Sequence, residues 1–146
     1  MEKYDIFISY RRNGGETMAY LLKEKLKQMG FTVFYDVESL RSGNFNDKLY
    51  EVIENCRDII LILSENGLDR CINKDDWVRK EIVHGMKYRR NIIPIFMRNF
   101  EWPLELPEEL AALPQYNSHI FTELQKRCDA NGKINPAELD DLLFTN

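Results

Sequence analysis

Long apolar runs are missing from this chain. Its longest, Ile59-Ile60-Leu61-Ile62-Leu63 and the six residues from Ile92 to Met97, fall well short of the ~18 residues that a membrane-spanning helix needs. The first residues, Met1-Glu2-Lys3-Tyr4-Asp5, lack the apolar stretch of a signal peptide. Cysteine is scarce. Cys56, Cys71 and Cys128 are an odd and scattered set, and His84 and His119 are the only histidines. That matches neither a disulfide framework nor zinc-ligand spacing, so reduced thiols in a cytoplasmic chain are expected. An excess of basic charge is also missing. The net charge is −4, which argues against duplex nucleic acid as a partner, because a phosphate backbone needs a basic face. What is present is ordinary for a globular protein: 146 residues, 44% hydrophobic and 30% charged, enough for one domain with one core.

Read along the chain, strands and helices alternate. Residues 4–9 form a short apolar run closed by Ser9, and a loop with Arg11-Arg12-Asn13-Gly14-Gly15 follows. Met18, Leu21, Leu22, Leu26 and Met29 fall at helical spacing, with Gly30 placed to end the helix. Residues 31–35 read as the second strand and 37–45 as a long loop. Leu49, Val52 and Ile53 mark a second helix. Residues 59–63, apolar on both faces, read as the central strand of a parallel sheet. A polar loop over 64–76 leads to a helix over 77–87. A fourth strand starts at Asn91, with Pro94 weakening its pairing. Beyond it, 99–116 reads as loop with a helical turn at 107–113, and 118–121 as a fifth, edge strand. Helical pieces at 123–128 and 136–144 complete the tail. The expected domain spans 1–125, with 126–146 packed on it. This order predicts an α/β fold, a three-layer flavodoxin-like sandwich around a five-stranded parallel sheet.

In such sheets ligands bind beyond the carboxyl ends of the strands. The segments there carry Tyr10, Arg11 and Arg12; Asp36, Glu38, Arg41 and Phe45; Trp77 and Glu81; and Phe100, Glu101 and Trp102. Paired guanidinium groups suit a pyrophosphate, aromatic faces suit a base or pyridinium ring, and a carboxylate among them can serve chemistry. Plainer readings compete. Arg11-Arg12 also fits a solvated pair, and Trp77 also fits the core. Glu81 lies four residues after Trp77 and so shares its helix face. The G-x-G-x-x-G and P-loop motifs are absent. A phospho-receiver would carry Asp after the third strand, where this chain has Ser64. No nucleophile-His pairing stands out. In the tail, Asp129-Ala130-Asn131-Gly132 with Glu138 looks like part of an EF-hand loop, but its first ligand position would be Arg127, which cannot bind calcium.

Together these residues resemble a family. Asp5-Ile6-Phe7-Ile8-Ser9-Tyr10-Arg11 is similar to the first box of Toll/interleukin-1 receptor (TIR) domains. The run from Gly30 to Glu38 with Gly43 resembles their second strand and BB loop. Trp77-Val78-Arg79-Lys80-Glu81 is similar to the W-x-x-x-E motif of the enzymatic branch, and Phe100-Glu101-Trp102-Pro103 to the third box. The likeness covers about residues 4–125 and is strongest to the NAD-cleaving branch. It implies cleavage of the nicotinamide–ribose bond of NAD+, with Glu81 catalytic and Tyr10, Arg11, Arg12, Phe45, Trp77 and Trp102 at the substrate. It implies self-association through Asp36, Val37, Glu38, Ser39, Leu40, Arg41, Ser42 and Gly43 of the BB loop, with other TIR domains as partners. No cofactor or metal is implied, NAD+ being the substrate, and the setting would be immune defence or cell-death signalling. A non-catalytic TIR adaptor, or a sensor that binds a nucleotide without cleaving it, are the rival expectations.

Overall fold

Branched and aromatic residues on successive positions of four short segments build a sheet buried on both faces. In the computed structural model, which describes residues 3–35 and 46–115, these are β1 (Ile6–Ser9), β2 (Val33–Tyr35), β3 (Asp58–Leu63) and β4 (Asn91–Phe96). All pair in parallel, in the order β2-β1-β3-β4. Ile6 lies beside Val33 and Asp58, and Leu61 lies beside Pro94. Among the described residues β4 is an outer strand, as the missing N–H of Pro94 favours.

Alternation along the strands sorts the core into two faces. Ile6, Ile8, Ile60, Ile62, Ile93 and Ile95 pack with Met18, Leu22 and Leu26 of α1 (Arg12–Gln28). Phe7, Ile59, Leu61, Leu63 and Ile92 pack on the other face. There they meet Leu49, Val52 and Ile53 of α2 (Asn46–Asn55), with Val78 and Ile82 of α3 (Trp77–Lys87). The result is the three-layer α/β arrangement, each fully buried Ile or Leu contributing about 1.5–3 kcal/mol. Gly85 lets α3 sit close on the sheet, since a Cβ there would stand 2.5 Å from Ile59 Cδ1.

Several expectations change. Helix α1 starts at Arg12, inside the predicted loop, but Asn13 and Gly14 leave helical geometry and kink its first turn. Gly14 has φ +92°, a conformation that a side chain disfavours. The predicted loop over 64–76 contains a 3-10 turn at Asp69–Ile72, and the turn expected at 107–113 resolves into Glu108–Leu110 and Leu113–Gln115. The fifth strand at 118–121, the tail pieces and the loop over 37–45 lie outside the described residues.

Candidate active site

Helix α3 carries the site, and its start is set by Asp76. This residue precedes the helix in extended geometry, and its Oδ2 accepts the Arg79 N–H at 3.0 Å, an N-cap that satisfies one orphan donor of the first turn. Asp76 is held in turn by Arg11. One terminal nitrogen of Arg11 donates to Asp76 Oδ2 at 2.7 Å and the other to Oδ1, while Nε donates to the Gly67 carbonyl at 2.7 Å. Cys71 Sγ lies 3.5 Å from the same guanidinium. Burial pushes the Asp76 carboxyl up. The Arg11 hydrogen bonds, the Arg79 N–H, the charge of Arg11 and the Cys71 thiol outweigh that and hold it below the usual carboxylate range.

From Trp77, the first residue of α3, one turn leads to Glu81, which is 1% exposed. Ser9, the last residue of β1, donates its hydroxyl to Glu81 Oε1 at 2.7 Å. Trp77 is half-buried, its ring 6.3 Å from that of Tyr50 on α2 and 4.7 Å from Lys80 Nζ. Burial, then the negative charge of Glu81, raises the Tyr50 hydroxyl above its ordinary value. On its other side Tyr50 meets the His84 ring at 4.4 Å, and His84 Nε2 lies 2.8 Å from Glu54. The carboxylate thus stands at the end of the central strands with an aromatic ring on either helix beside it.

The sequence-predicted residues divide. Glu81 and Trp77 come together as expected. Tyr10 is 5% exposed and packs in the α1-side core, so its ring is not at a ligand surface in this conformation. Arg11 has its donors committed to Asp76 and Gly67, because a buried guanidinium must be neutralised where it lies. Arg12 is exposed and 3.8 Å from Glu16. Trp102 joins Phe96 and Phe100 in an aromatic cluster, 6.0 and 5.3 Å between ring centres. Phe45 and the eight BB-loop positions lie outside the described residues. Ser9, Tyr50 and Asp76 were missed. Only Asp76 had a signal: an Asp directly before a helical period is an N-cap signature. Among the described residues no three His, Cys, Asp or Glu side chains group as a metal site, and no helix is long and apolar enough to cross a membrane.

Comparison with known proteins identifies the arrangement. The chain is 43% identical over 128 residues to the zebrafish (Danio rerio) protein named NAD(+) hydrolase SARM1, covering 82% of this chain and 18% of that protein. It is 42% identical to NAD(+) hydrolase sarm1 of Drosophila melanogaster over 77% of this chain and 9% of the relative. To the Brachypodium distachyon protein named probable 2' cyclic ADP-D-ribose synthase BdTIR it is 29% identical, over 75% of this chain and 47% of the other. The chain therefore spans under a fifth of the animal relatives and about half of the plant one. Among solved structures, the TIR domain of the Hydra magnipapillata Toll-related receptor TRR-2 superposes with a TM-score of 0.52 at 22% identity, covering 84% of this chain and 99% of that one. The TIR domains of the activated Roq1 resistosome give 0.51 at 19% identity, covering 88% and 81%. A family model described as the TIR domain matches residues 6–131, and with the parallel sheet and its site already in place, the chain belongs to the TIR domain family.

Proposed function

We propose that this domain cleaves NAD+ between nicotinamide and ribose, with Glu81 as the catalytic carboxylate. The observation that carries the reading is the buried Ser9–Glu81 hydrogen bond, which fixes the direction of a carboxylate one helical turn from Trp77. The animal relatives' name, NAD(+) hydrolase, supports it. Ordinary glycosidases need a second carboxyl group to protonate a poor leaving group. Nicotinamide leaves a pyridinium as a neutral molecule, so one carboxylate suffices. It stabilises the cationic ribosyl transition state; at about 4 Å and an effective dielectric near 20 that interaction contributes about 4 kcal/mol, or about 10³ in rate.

Trp77, Trp102 and Phe45 supply ring faces for nicotinamide or adenine, and Arg12 supplies charge for the diphosphate. Arg11 belongs to the scaffold: it holds Asp76 and through it the start of α3. Water attacking ribosyl C1′ gives ADP-ribose and a proton, and an atom of the adenosine half attacking instead gives a cyclic form. No cofactor beyond the substrate is needed. Because Glu81 is 1% exposed, substrate reaches it only after its cover moves. That supports a resting chain of low activity, switched on by self-association through residues 36–43, as part of a cytoplasmic defence or cell-death system.

Mass spectrometry of NAD+ incubated with dispersed and with clustered protein tests this. Nicotinamide and ADP-ribose or its cyclic form should appear in step from the clustered protein, and Glu81→Ala should lose about 10³-fold with its circular dichroism unchanged. Wild-type turnover by that variant overturns the assignment, and silence from clustered wild type favours the adaptor reading.

A further inference from the structure

A ring that receives part of a substrate gains affinity when its direction is fixed beforehand, because a side chain ordered only on binding costs free energy. Trp77 is half-buried on the first turn of α3. Lys80 Nζ, 4.7 Å from its ring centre, rides on the same helix and moves with it. Tyr50 comes from α2 and ties the ring to a second element.

The spacing of the rings shows how. Trp77 and His84 are seven residues apart on α3, two turns along one face and about 10.5 Å in rise. Tyr50 reaches in between them. Its ring centre is 6.3 Å from that of Trp77 and 4.4 Å from that of His84, two separations that together fill that rise. Both are close to the ~4.5–7 Å at which aromatic pairs attract. His84 is in turn fixed on two sides: Nε2 lies 2.8 Å from Glu54 Oε2, and the Tyr88 ring centre is 4.7 Å away. Glu54 stands one turn after Tyr50 on α2. That helix therefore supplies both the ring that meets Trp77 and the carboxylate that anchors the ring behind it.

Core packing alone does not account for this stack. Leu49, Val52 and Ile53 are the α2 side chains buried against the sheet, whereas Tyr50, Glu54 and His84 are half-buried. A cavity of about 250 Å³ opens beside them, with Tyr50, Val83, His84 and Lys87 in its wall. The Tyr50 ring thus has room to turn, and its aromatic neighbours hold it in place.

We propose, on the reading of Trp77 as a ring that stacks on the substrate, that Tyr50 is a positioning residue for NAD+ cleavage: backed by His84 and Glu54, it sets the direction of the Trp77 ring. Stacking is made in the bound substrate and in the transition state alike, so loss of Tyr50 weakens binding and leaves the chemical step to Glu81.

Two readouts test it: nicotinamide release from clustered protein, and Trp77 fluorescence without substrate. The chain has two tryptophans, so a Trp102→Phe background isolates the emission of Trp77. Tyr50→Leu keeps apolar bulk and removes the ring. Its KM should rise about fivefold, the worth of one aromatic pair, with kcat held. Its Trp77 emission should shift to longer wavelength and lose steady-state anisotropy. Tyr50→Phe should restore all three. His84→Ala, which leaves the Tyr50 ring but removes its backing, should move KM and anisotropy in the same direction, and should add nothing in a Tyr50→Leu background. Trp77 emission and anisotropy unmoved in Tyr50→Leu, or a KM equal to wild type, would overturn the proposal, as would a Tyr50→Phe variant as impaired as Tyr50→Leu. Clustered wild type that releases no nicotinamide would refute the NAD+ reading instead, and the fluorescence would still decide whether Tyr50 directs Trp77.

Discussion

Ser9→Ala is the sharpest perturbation of the proposed mechanism, because it removes one donor and touches nothing else of the carboxylate. Ser9 is fully buried and its hydroxyl is bonded to Glu81 at 2.7 Å. A hydrogen bond to a charged group contributes about 1.5–3 kcal/mol, which in a chain near 150 residues lowers the melting temperature by about 3–12 °C. The catalytic loss follows from distance. If the released carboxylate drifts from about 4 to about 6 Å from the ribosyl cation, its stabilisation falls from about 4 to about 3 kcal/mol at an effective dielectric near 20. The rate then drops about tenfold. Ring and phosphate contacts to the rest of NAD+ remain, so kcat should fall while KM holds, the pattern of an interaction made in the transition state. Steady-state nicotinamide release from clustered protein reads both constants. A double-mutant cycle then isolates the path: in a Glu81→Gln background, Ser9→Ala should cost nothing more. A full tenfold loss in that background, or a rise in KM with kcat intact, would show that Ser9 does not act through Glu81.

Other outcomes follow from the same structure. Asp76→Asn should destabilise the domain by about 3–5 kcal/mol, because it strands the buried Arg11 charge. Since the folded Asp76 carboxyl is held low, its stabilisation is complete above the unfolded value of about 3.9 and is lost as pH falls through the folded one. Urea titrations at pH 7 and near pH 3 should therefore show the wild-type advantage shrinking on the acid side. Gly85→Ala should cost about 1–3 kcal/mol by overpacking against Ile59 Cδ1, and Ile59→Val, which deletes that atom, should recover part of the loss in a thermal melt of the pair. Burial pushes the Cys56 and Cys71 thiols up to about 12, so iodoacetamide at pH 8 should leave both unmodified in the native protein and label them on unfolding, as peptide mass spectrometry would read.

The elements legible in the sequence were those whose signal is local. The apolar run of β3, the Trp77–Lys87 period and the end of α1 at Gly30, with φ +95°, are each fixed within a few residues by period and backbone preference. The early start of α1 was not legible, because two glycines and an Asn normally break a helix. Here Asn13 and Gly14 do leave helical geometry, yet Gly15 N–H still bonds the Arg11 carbonyl at 3.0 Å, and the helix resumes. Glu81 and Trp77 were legible as a pair because helical spacing of four places them on one face. The part of Ser9 was not, and of Asp76 only the local cap on Arg79 left a signal, since the bonds to Glu81 and Arg11 join residues 72 and 65 apart in sequence, which no local pattern encodes. The part played by Arg11 was hidden for the same reason: its sequence neighbours present it as one of a solvent-facing pair, and only the fold brings Asp76 against it.

The two long-range bonds act together through a match of repeats. Ser9 and Arg11 are two residues apart where the chain is still extended, Arg11 having φ −86° and ψ 130°. Alternate residues of an extended chain point the same way and advance about 6.6 Å. Asp76 and Glu81 are five residues apart at the start of α3, an advance of about 7.5 Å along a helix. The two spans agree to about 1 Å, so the carboxyl end of β1 and the residues just after it can grip α3 twice, at its cap through Arg11 and five residues later through Ser9. Each grip restrains a different motion: the first fixes where the helix begins, the second fixes how it is rotated about its axis. A carboxylate on α3 with only the cap would be free to swing with the helix roll, and one with only the Ser9 bond would move with any fraying of the first turn. With both, the direction of Glu81 is set from the end of β1, through Ser9 on the carboxylate itself and Arg11 on the cap of its helix.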